Sequence, residues 1–405
     1  MKIAPFIRAI EEHNSSEDAG KELIEHILVH TGQHYDDKMS KAFFEALNIP
    51  DADINLEVGS GTHAEQVGYT MMKLEKVFEK EKPDWVIVVG DVNATLAASV
   101  TAKKLHINVC HIEAGLRSGD MEMPEEINRL VTDRLSDLLL TPDTISSENL
   151  RKEGTPEEKI RFVGNIMIDT LEANREKASK LSIEEIIENN LLDNPLVPSS
   201  PRPLVPSSLR PLVPSSPHPL SPSSPRLSSS EVSAKEDYAL LTLHRPSNVD
   251  KKEVFEPVIS FLTDEVAGDM PLLWPIHPRA RKRLEEFGLW EKVVNNKNMI
   301  LLHPLGYHDM LRLNMSAKVV LTDSGGLQEE CTVLGTPCLT LRWNTERPVT
   351  LRKYGGASVL VGNNVERIRE EYNNTLKLER KPDRPELWDG HTAERCVEEI
   401  VDFTK

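Results

Sequence analysis

Cysteine is scarce in this chain of 405 residues, which has four, Cys110, Cys331, Cys338 and Cys396. None forms a CxxC pair or has histidine beside it at ligand spacing, which argues against a zinc site or a disulfide framework and makes a reducing cytoplasm the expected setting. No run approaches about 20 uninterrupted apolar residues, and the N-terminus lacks a basic-then-apolar leader, so neither a membrane span nor a secretory signal is expected. Positive charge is also in deficit: 48 Lys+Arg against 65 Asp+Glu give a formal charge of −17. General affinity for nucleic acid or anionic lipid needs clustered positive charge, and this composition argues against it. Any phosphate-bearing ligand must then be held by local features.

A strand is missing where one is expected. MKIAPFIRAIEE opens the chain with Ile3, Phe6, Ile7 and Ile10 at helical spacing and Glu11 and Glu12 on the outer side, so the first residues read as an amphipathic helix with nothing to feed it.

The chain does have length enough for two domains, each with its own core. PDWVIVVGD (83–91) is a short, β-branched apolar run of the kind that forms a strand buried on both faces of a parallel sheet. ATLAASVTAKKLH (94–106) follows at helical period and INVCHIEAG (107–115) is the next strand, which completes a βαβ unit. The pattern recurs with AKVVLTD (317–323), SGGLQEECTVLG (324–335) and TPCLTL (336–341). Further strands are expected at 26–30, 160–163, 238–243, 272–276 and 357–361. The fold class that follows is α/β, two doubly wound domains facing each other across a cleft.

Between the halves stands an octapeptide repeat, PLVPSSPR, PLVPSSLR, PLVPSSPH and PLSPSSPR, beginning at Pro195, Pro203, Pro211 and Pro219. Its prolines withhold donors and its large apolar surface is too small to offset ordering entropy, so a disordered or polyproline-like tether is expected over 190–236. Partner binding by the proline-rich units is the alternative to a repeat that a surface loop tolerates.

Candidate chemistry gathers at strand ends. Asp91 leaves the carboxyl end of its strand, where open α/β sheets place ligands, although a lone Asp there also serves as a helix N-cap. The next strand delivers Glu113, then a loop with Arg117 and Asp120, then Pro124, Glu125 and Glu126 opening a helix. Proline followed by acids suits a helix N-terminus, so one of the two acids has a structural reading as well. Asp91, Glu113 and Glu125 brought to one cleft would repel one another, raising some pKa values toward neutrality and suiting them to proton transfer. In the second half His244 and Arg245 lie just beyond a strand, placed for a phosphorylated ligand or a leaving group. Ser324, Gly325 and Gly326 sit at a strand-to-helix turn where backbone N–H groups can approach phosphate oxygens. Glu330 stands about a turn and a half into that helix, within reach of ribose hydroxyls, and Arg347 comes from the next strand end.

GDVNAT, HIEAGLRSGDMEMPEEINR, VGNIMIDTL, LTLHRPSNVD, PIHPRARKRL, LTDSGGLQEE and NTERP occur in the order and approximate spacing of the non-hydrolysing UDP-N-acetylglucosamine 2-epimerases. The chain resembles that family over about residues 1–170 and 237–400. The resemblance implies a GT-B architecture of two Rossmann-like domains, 1–170 and 237–384, with UDP held mainly by the second and a C-terminal helix at about 385–405 completing the first. It implies interconversion of UDP-N-acetylglucosamine and UDP-N-acetylmannosamine by loss of the C2 proton, expulsion of UDP to give 2-acetamidoglucal, and re-addition after reprotonation on the other face. Asp91, Glu113 and Glu125 match the acid/base carboxylates and His244 the histidine near the leaving UDP. Ser324, Gly325 and Gly326 match the phosphate-contacting turn, Glu330 the ribose carboxylate, Arg347 the arginine near the nucleotide sugar, and Lys2 a lysine of the N-terminal active-site motif. Met310 takes the place of an apolar residue flanking the uracil. A homodimer is implied, and no cofactor or metal is expected.

The departure lies at the start. Members of the family begin with a strand and a Gly-Thr-Arg-Pro-Glu turn, whereas this sequence opens at the helix that follows, so the expectation is a start upstream or an inactive product. A glycosyltransferase of the same architecture, a hydrolysing epimerase and an inactive nucleotide-sugar-binding remnant are the alternative functions.

Overall fold

The computed structural model describes residues 1–16, 22–32, 47, 49–192 and 237–404. Two α/β units account for them, and each is organised by where its parallel strands end.

In the C-terminal unit the strands are β7 (Ala239–Thr242), β8 (Leu272–Pro275), β9 (Met299–Leu302), β10 (Val319–Thr322), β11 (Cys338–Thr340) and β12 (Ser358–Leu360). Their spatial order is β12-β11-β10-β7-β8-β9, all parallel. This is the doubly wound order, with its switch point between β7 and β10. Successive side chains of a strand point to opposite faces. Accordingly Leu241, Trp274, Leu301 and Leu321 bury into one core, and Leu240, Leu273, Ile300 and Val320 into the other. Each such side chain contributes about 1.5–3 kcal/mol on burial.

In the N-terminal unit β3 (Trp85–Val89), β4 (Asn108–Ile112), β5 (Leu138–Thr141) and β6 (Ile160–Phe162) pair in sequential order, also parallel. A separate parallel pair is formed by β1 (Val29–His30) and β2 (Ile54–Asn55), and among the described residues no strand links it to β3. Strands β5 and β9 were not anticipated. Each is a four-residue apolar run, buried throughout, and a run that short has the periodicity of neither strand nor helix.

Helix α1 (Ile3–Ser15) buries Ala4, Phe6, Ile7, Ala9 and Ile10 and leaves Glu11 and Glu12 exposed. It is followed by α2 (His63–Glu81), α3 (Asn93–Lys104), α4 (Pro124–Leu135), α5 (Thr144–Lys152) and α6 (Ile166–Ser179). Helix α6 packs against α1 on one side and, on the other, against α8 (Tyr307–Ser316) and α9 (Gly325–Leu334) of the second unit, α7 (Ile183–Asn190) coming between them in sequence. The last helix, α10 (Thr392–Thr404), returns to the first unit and lies on α1. There the Trp85 indole N–H donates to Thr404 Oγ1 at 3.0 Å. The fully buried Trp388 ahead of it donates to the Pro142 carbonyl at 2.8 Å.

Most of the Pro/Ser repeat region, 193–236, lies outside the described residues. Its first residues belong to the fold: Asn190 ends α7, and buried Leu192 donates from its N–H to the Leu301 carbonyl at 2.9 Å. All four cysteines are buried free thiols. Among the described residues no helix is long and apolar enough to cross a membrane.

Candidate active site

Register places the first two carboxylates. Val89 of β3 is paired with Ile112 of β4, so Asp91 and Glu113 emerge from adjacent strand ends. Gly90, with φ of +73°, turns the chain into Asp91. Glu113 itself holds φ of +71°, a left-handed conformation that costs a non-glycine residue about 1–3 kcal/mol. Lys2 Nζ lies 2.5 Å from Glu113 Oε2, while Glu113 Oε1 is buried with no hydrogen-bond partner among the described residues.

Asp91 does not cap the helix that follows. Its Oδ2 accepts from Arg129 Nη2 at 2.7 Å and Nε at 3.0 Å. Burial alone would raise the Asp91 pKa, but Arg129, Lys2 and Arg347 outweigh it and hold the carboxyl below its ordinary value. Crowding with other carboxylates therefore does not push Asp91 toward neutrality, because cations lie close to it.

The two acids after Pro124 divide their roles. Glu126, buried, accepts from Ser118 N and Oγ, from Gly119 N and from Arg129 Nη1, which fixes the 116–123 loop. Glu125 is half-buried and has no hydrogen bond among the described residues, and its charge bears on Arg245 of the other unit. Arg117 faces away, bound to Asp133 and Glu153. Asp120 Oδ2 is 3.4 Å from Asn344 Nδ2, a contact between the units.

On the opposite wall, the N–H groups of His244 and Arg245 both donate to Asp323 Oδ2, at 2.9 and 2.8 Å. His244 Nδ1 lies 2.9 Å from Asp323 Oδ1, and its ring stacks near His277 with centroids 5.3 Å apart. Burial opposes the charge of Asp323, yet His244 and the two N–H groups hold its pKa below the ordinary value. The Arg245 guanidinium is half-buried and has no ion pair among the described residues. Burial, together with nearby Arg342, lowers its pKa.

Ser324 precedes α9, and Gly325 and Gly326 form its first turn, where unpaired N–H groups and the helix dipole favour an anion. Gly325 has a second reason to lack a side chain. A Cβ there would lie 2.9 Å from both Arg347 Nη1 and Glu346 Oε1. Farther along α9, burial pushes the Glu330 carboxyl up to about 7, against the pull of Tyr307 and Asn314. Tyr307 Oη and Asn314 Nδ2 are buried without well-aligned partners among the described residues. Met310, on α8 with both of them, is partly buried against the core.

Arg347 joins the two walls. Its Nε lies 2.7 Å from Glu329 Oε1, Nη1 pairs with Glu346, and its charge reaches Glu113 and Asp91. Glu346 is gripped by Arg342 Nη2 at 2.6 Å, and Glu329 accepts from Asn165 Nδ2 of the first unit at 2.8 Å. Sequence reasoning had not singled out Arg129, Asn165, Asp323, Glu329, Arg342 or Glu346. For Arg129 a signal existed, because it stands three residues after Glu126 on one helix face. Asn165 and Glu329 lie 164 positions apart, and no local pattern joins them.

Carboxylates on one wall face an arginine and a helix N-terminus on the other. That is the layout of an enzyme built from two Rossmann-like domains with a charged cleft between them. Comparison with known proteins makes the assignment specific. The model of the UDP-N-acetylglucosamine 2-epimerase family matches residues 18–198 and 219–401. A UDP-N-acetylglucosamine 2-epimerase of Methanocaldococcus jannaschii is 40% identical over 398 residues, covering 98% of this chain and 94% of that protein. A UDP-2,3-diacetamido-2,3-dideoxy-D-glucuronate 2-epimerase of Pseudomonas aeruginosa is 34% identical over 410 residues, covering 99% of both. The crystal structure of the M. jannaschii enzyme with UDP-GlcNAc and UDP superposes with a TM-score of 0.80 at 38% identity, over 99% of this chain and 96% of that one. The chain belongs to the UDP-N-acetylglucosamine 2-epimerase family, and its fold is GT-B-like.

Proposed function

We propose that the chain interconverts UDP-N-acetylglucosamine and UDP-N-acetylmannosamine by eliminating and re-adding UDP. The observation that carries this reading is the placement of Asp91 and Glu113 on adjacent strand ends, with Glu125, which has no hydrogen bond among the described residues, acting by its charge on Arg245. The names of the M. jannaschii relatives support the choice of substrate.

The sugar's C2–H is not beside a carbonyl and is a poor acid. Departure of UDP from C1 must lead, with the C2 proton lost as positive charge develops on the sugar. Arg245, His244 and the α9 N-terminus are the groups for the departing diphosphate. One carboxylate takes the C2 proton and C1=C2 forms, giving 2-acetamidoglucal. A second carboxylate on the opposite face donates a proton to C2 as UDP rebonds at C1. Two faces need an acid and a base each, which is the use for Asp91, Glu113 and Glu125. Glu330, with Tyr307 and Asn314, is assigned to the ribose, and Met310 to the uracil.

The test is turnover of UDP-N-acetylglucosamine in deuterium oxide. Deuterium at C2 of recovered substrate and product is expected. Product without label at C2, release of free N-acetylmannosamine, or UDP release that requires an acceptor would each overturn the reading. A homodimer is also proposed, supported by the exposed apolar residues Tyr69 and Met72 on α2 and Ile127 on α4.

A further inference from the structure

Behind the two strand ends lies a histidine that the chemistry above does not use. His111, in β4, is fully buried. Its Nδ1 is 2.6 Å from Asp133 Oδ1, and its Nε2 is 2.9 Å from the Gly90 carbonyl oxygen. A neutral imidazole carries one N–H and one lone pair, and neither a carboxylate nor a carbonyl has a hydrogen to offer that lone pair. Both contacts are hydrogen bonds only if both ring nitrogens donate. The other oxygen of Asp133 accepts from Gly115 N at 3.0 Å and from Arg117 Nη1 at 2.6 Å. Those donors favour the ionised carboxylate, so the shared hydrogen belongs to the imidazole.

The pair reaches both catalytic turns. Gly90, directly before Asp91, is clamped to β4 twice: its carbonyl accepts from His111, and its N–H donates to Ile112 O at 3.1 Å. Gly115, two residues after Glu113, is clamped by Asp133. Its φ is +81°, and a Cβ there would meet the Ser146 carbonyl oxygen at 2.3 Å, so the turn has little freedom of its own. We propose that His111, held as an imidazolium by Asp133, is a positioning residue that locks the Gly90–Asp91 turn to the Glu113–Gly115 turn. This sets the mutual placement of two carboxylates that must work on one sugar carbon. The kinetic consequence rests on the epimerase reading, whereas the imidazolium and its clamp do not.

The experiment has two arms, both on the full chain. In the first, nitrogen NMR of the 15N-histidine-labelled protein at pH 7.5 is assigned with His111→Gln. Both ring nitrogens of His111 are expected at protonated shifts, and a lone-pair nitrogen overturns the proposal. In the second, His111→Gln and Asp133→Asn are expected to lower kcat 10- to 100-fold while KM stays within about twofold, because substrate contacts remain and only carboxylate placement is lost. Folded variants with unchanged kcat overturn it. Where a variant fails to fold, the wild-type spectrum decides. If the unsubstituted chain shows no turnover, the epimerase reading fails while the spectrum still reports on the clamp.

Discussion

Arg129 holds Asp91 and Glu126 at once, with Nη2 2.7 Å from Asp91 Oδ2 and Nη1 2.5 Å from Glu126 Oε2. One guanidinium, 2% exposed at its side chain, links a strand-end carboxylate to the acid that shapes the neighbouring loop. Replacing it by Met leaves two carboxylates without their cation, and a loss of about 3–5 kcal/mol is expected. Urea unfolding measures it. The folded Asp91 pKa lies below its unfolded value, so the stabilisation is present above about 3.9 and is lost as pH falls through the folded value. The gap between wild type and Arg129→Met should therefore be widest at neutral pH and narrow in acid.

Glu125 and Glu126 are adjacent in sequence and opposite in expected effect. Glu125→Gln, like Glu113→Gln, should reduce C2 deuterium incorporation by about 10²–10⁴-fold, and for Glu125 the melting temperature should hardly change. Glu126→Gln weakens the Arg129 pair and the 116–123 loop. Its activity should fall with the folded fraction, as read by turnover and thermal melting on the same sample. Equal effects at the two positions would refute the division of roles.

Glu330 makes a pH prediction of the opposite sign. Its carboxyl is pushed up to about 7 in the folded state, from an unfolded value near 4.3. The folded chain then binds more protons than the unfolded one between those values, so this group makes stability fall as pH rises from about 4.3 to 7. Its unfavourable contribution is complete above 7. Glu330→Gln should be more stable than wild type at pH 8, by about 4 kcal/mol if the site does not rearrange, and nearly equal to it at pH 4. Denaturant midpoints at the two pH values test this, and a difference independent of pH would contradict it.

The ends of the repeat segment are close together. Leu192 lies beside Leu301 on β9, and Asp237 is two residues ahead of β7. One strand separates β7 from β9, about 10 Å across, a gap that fewer than about ten residues can bridge. Replacing residues 195–234 with a six-residue Gly-Ser linker should leave turnover unchanged and stabilise the chain by about 1 kcal/mol through easier loop closure. Lost turnover in a folded deletion variant would show that the repeat takes part in the reaction.

Much of the fold was legible because a parallel sheet writes itself in short β-branched runs between helical periods. WVIVV, NVCHI and VVLT were readable for that reason, whereas LLLT and MILL were not, since four buried leucine-rich residues suit a helix as well as a strand. Asp91, Glu113, His244 and Ser324 could be placed at strand ends because strand ends can be located from such runs. The counter-charges were not, because their partners come from distant sequence. Arg347 is paired with Glu329 of another element, and Glu329 is tied to Asn165 of the other domain.

Sequence alone determined the class of fold, the positions of most strand ends and the family motifs, since hydrophobic period and turn residues are local properties of the chain. Tertiary structure alone decided which acid of the Glu125–Glu126 pair is left without a hydrogen bond among the described residues, and that Asp91 is held ionised rather than pushed toward neutrality. It also decided that Lys2 meets Glu113 across 111 residues and that His111 joins both turns. Those outcomes depend on which charges converge and how far water is excluded from them, and both are set only when distant segments pack.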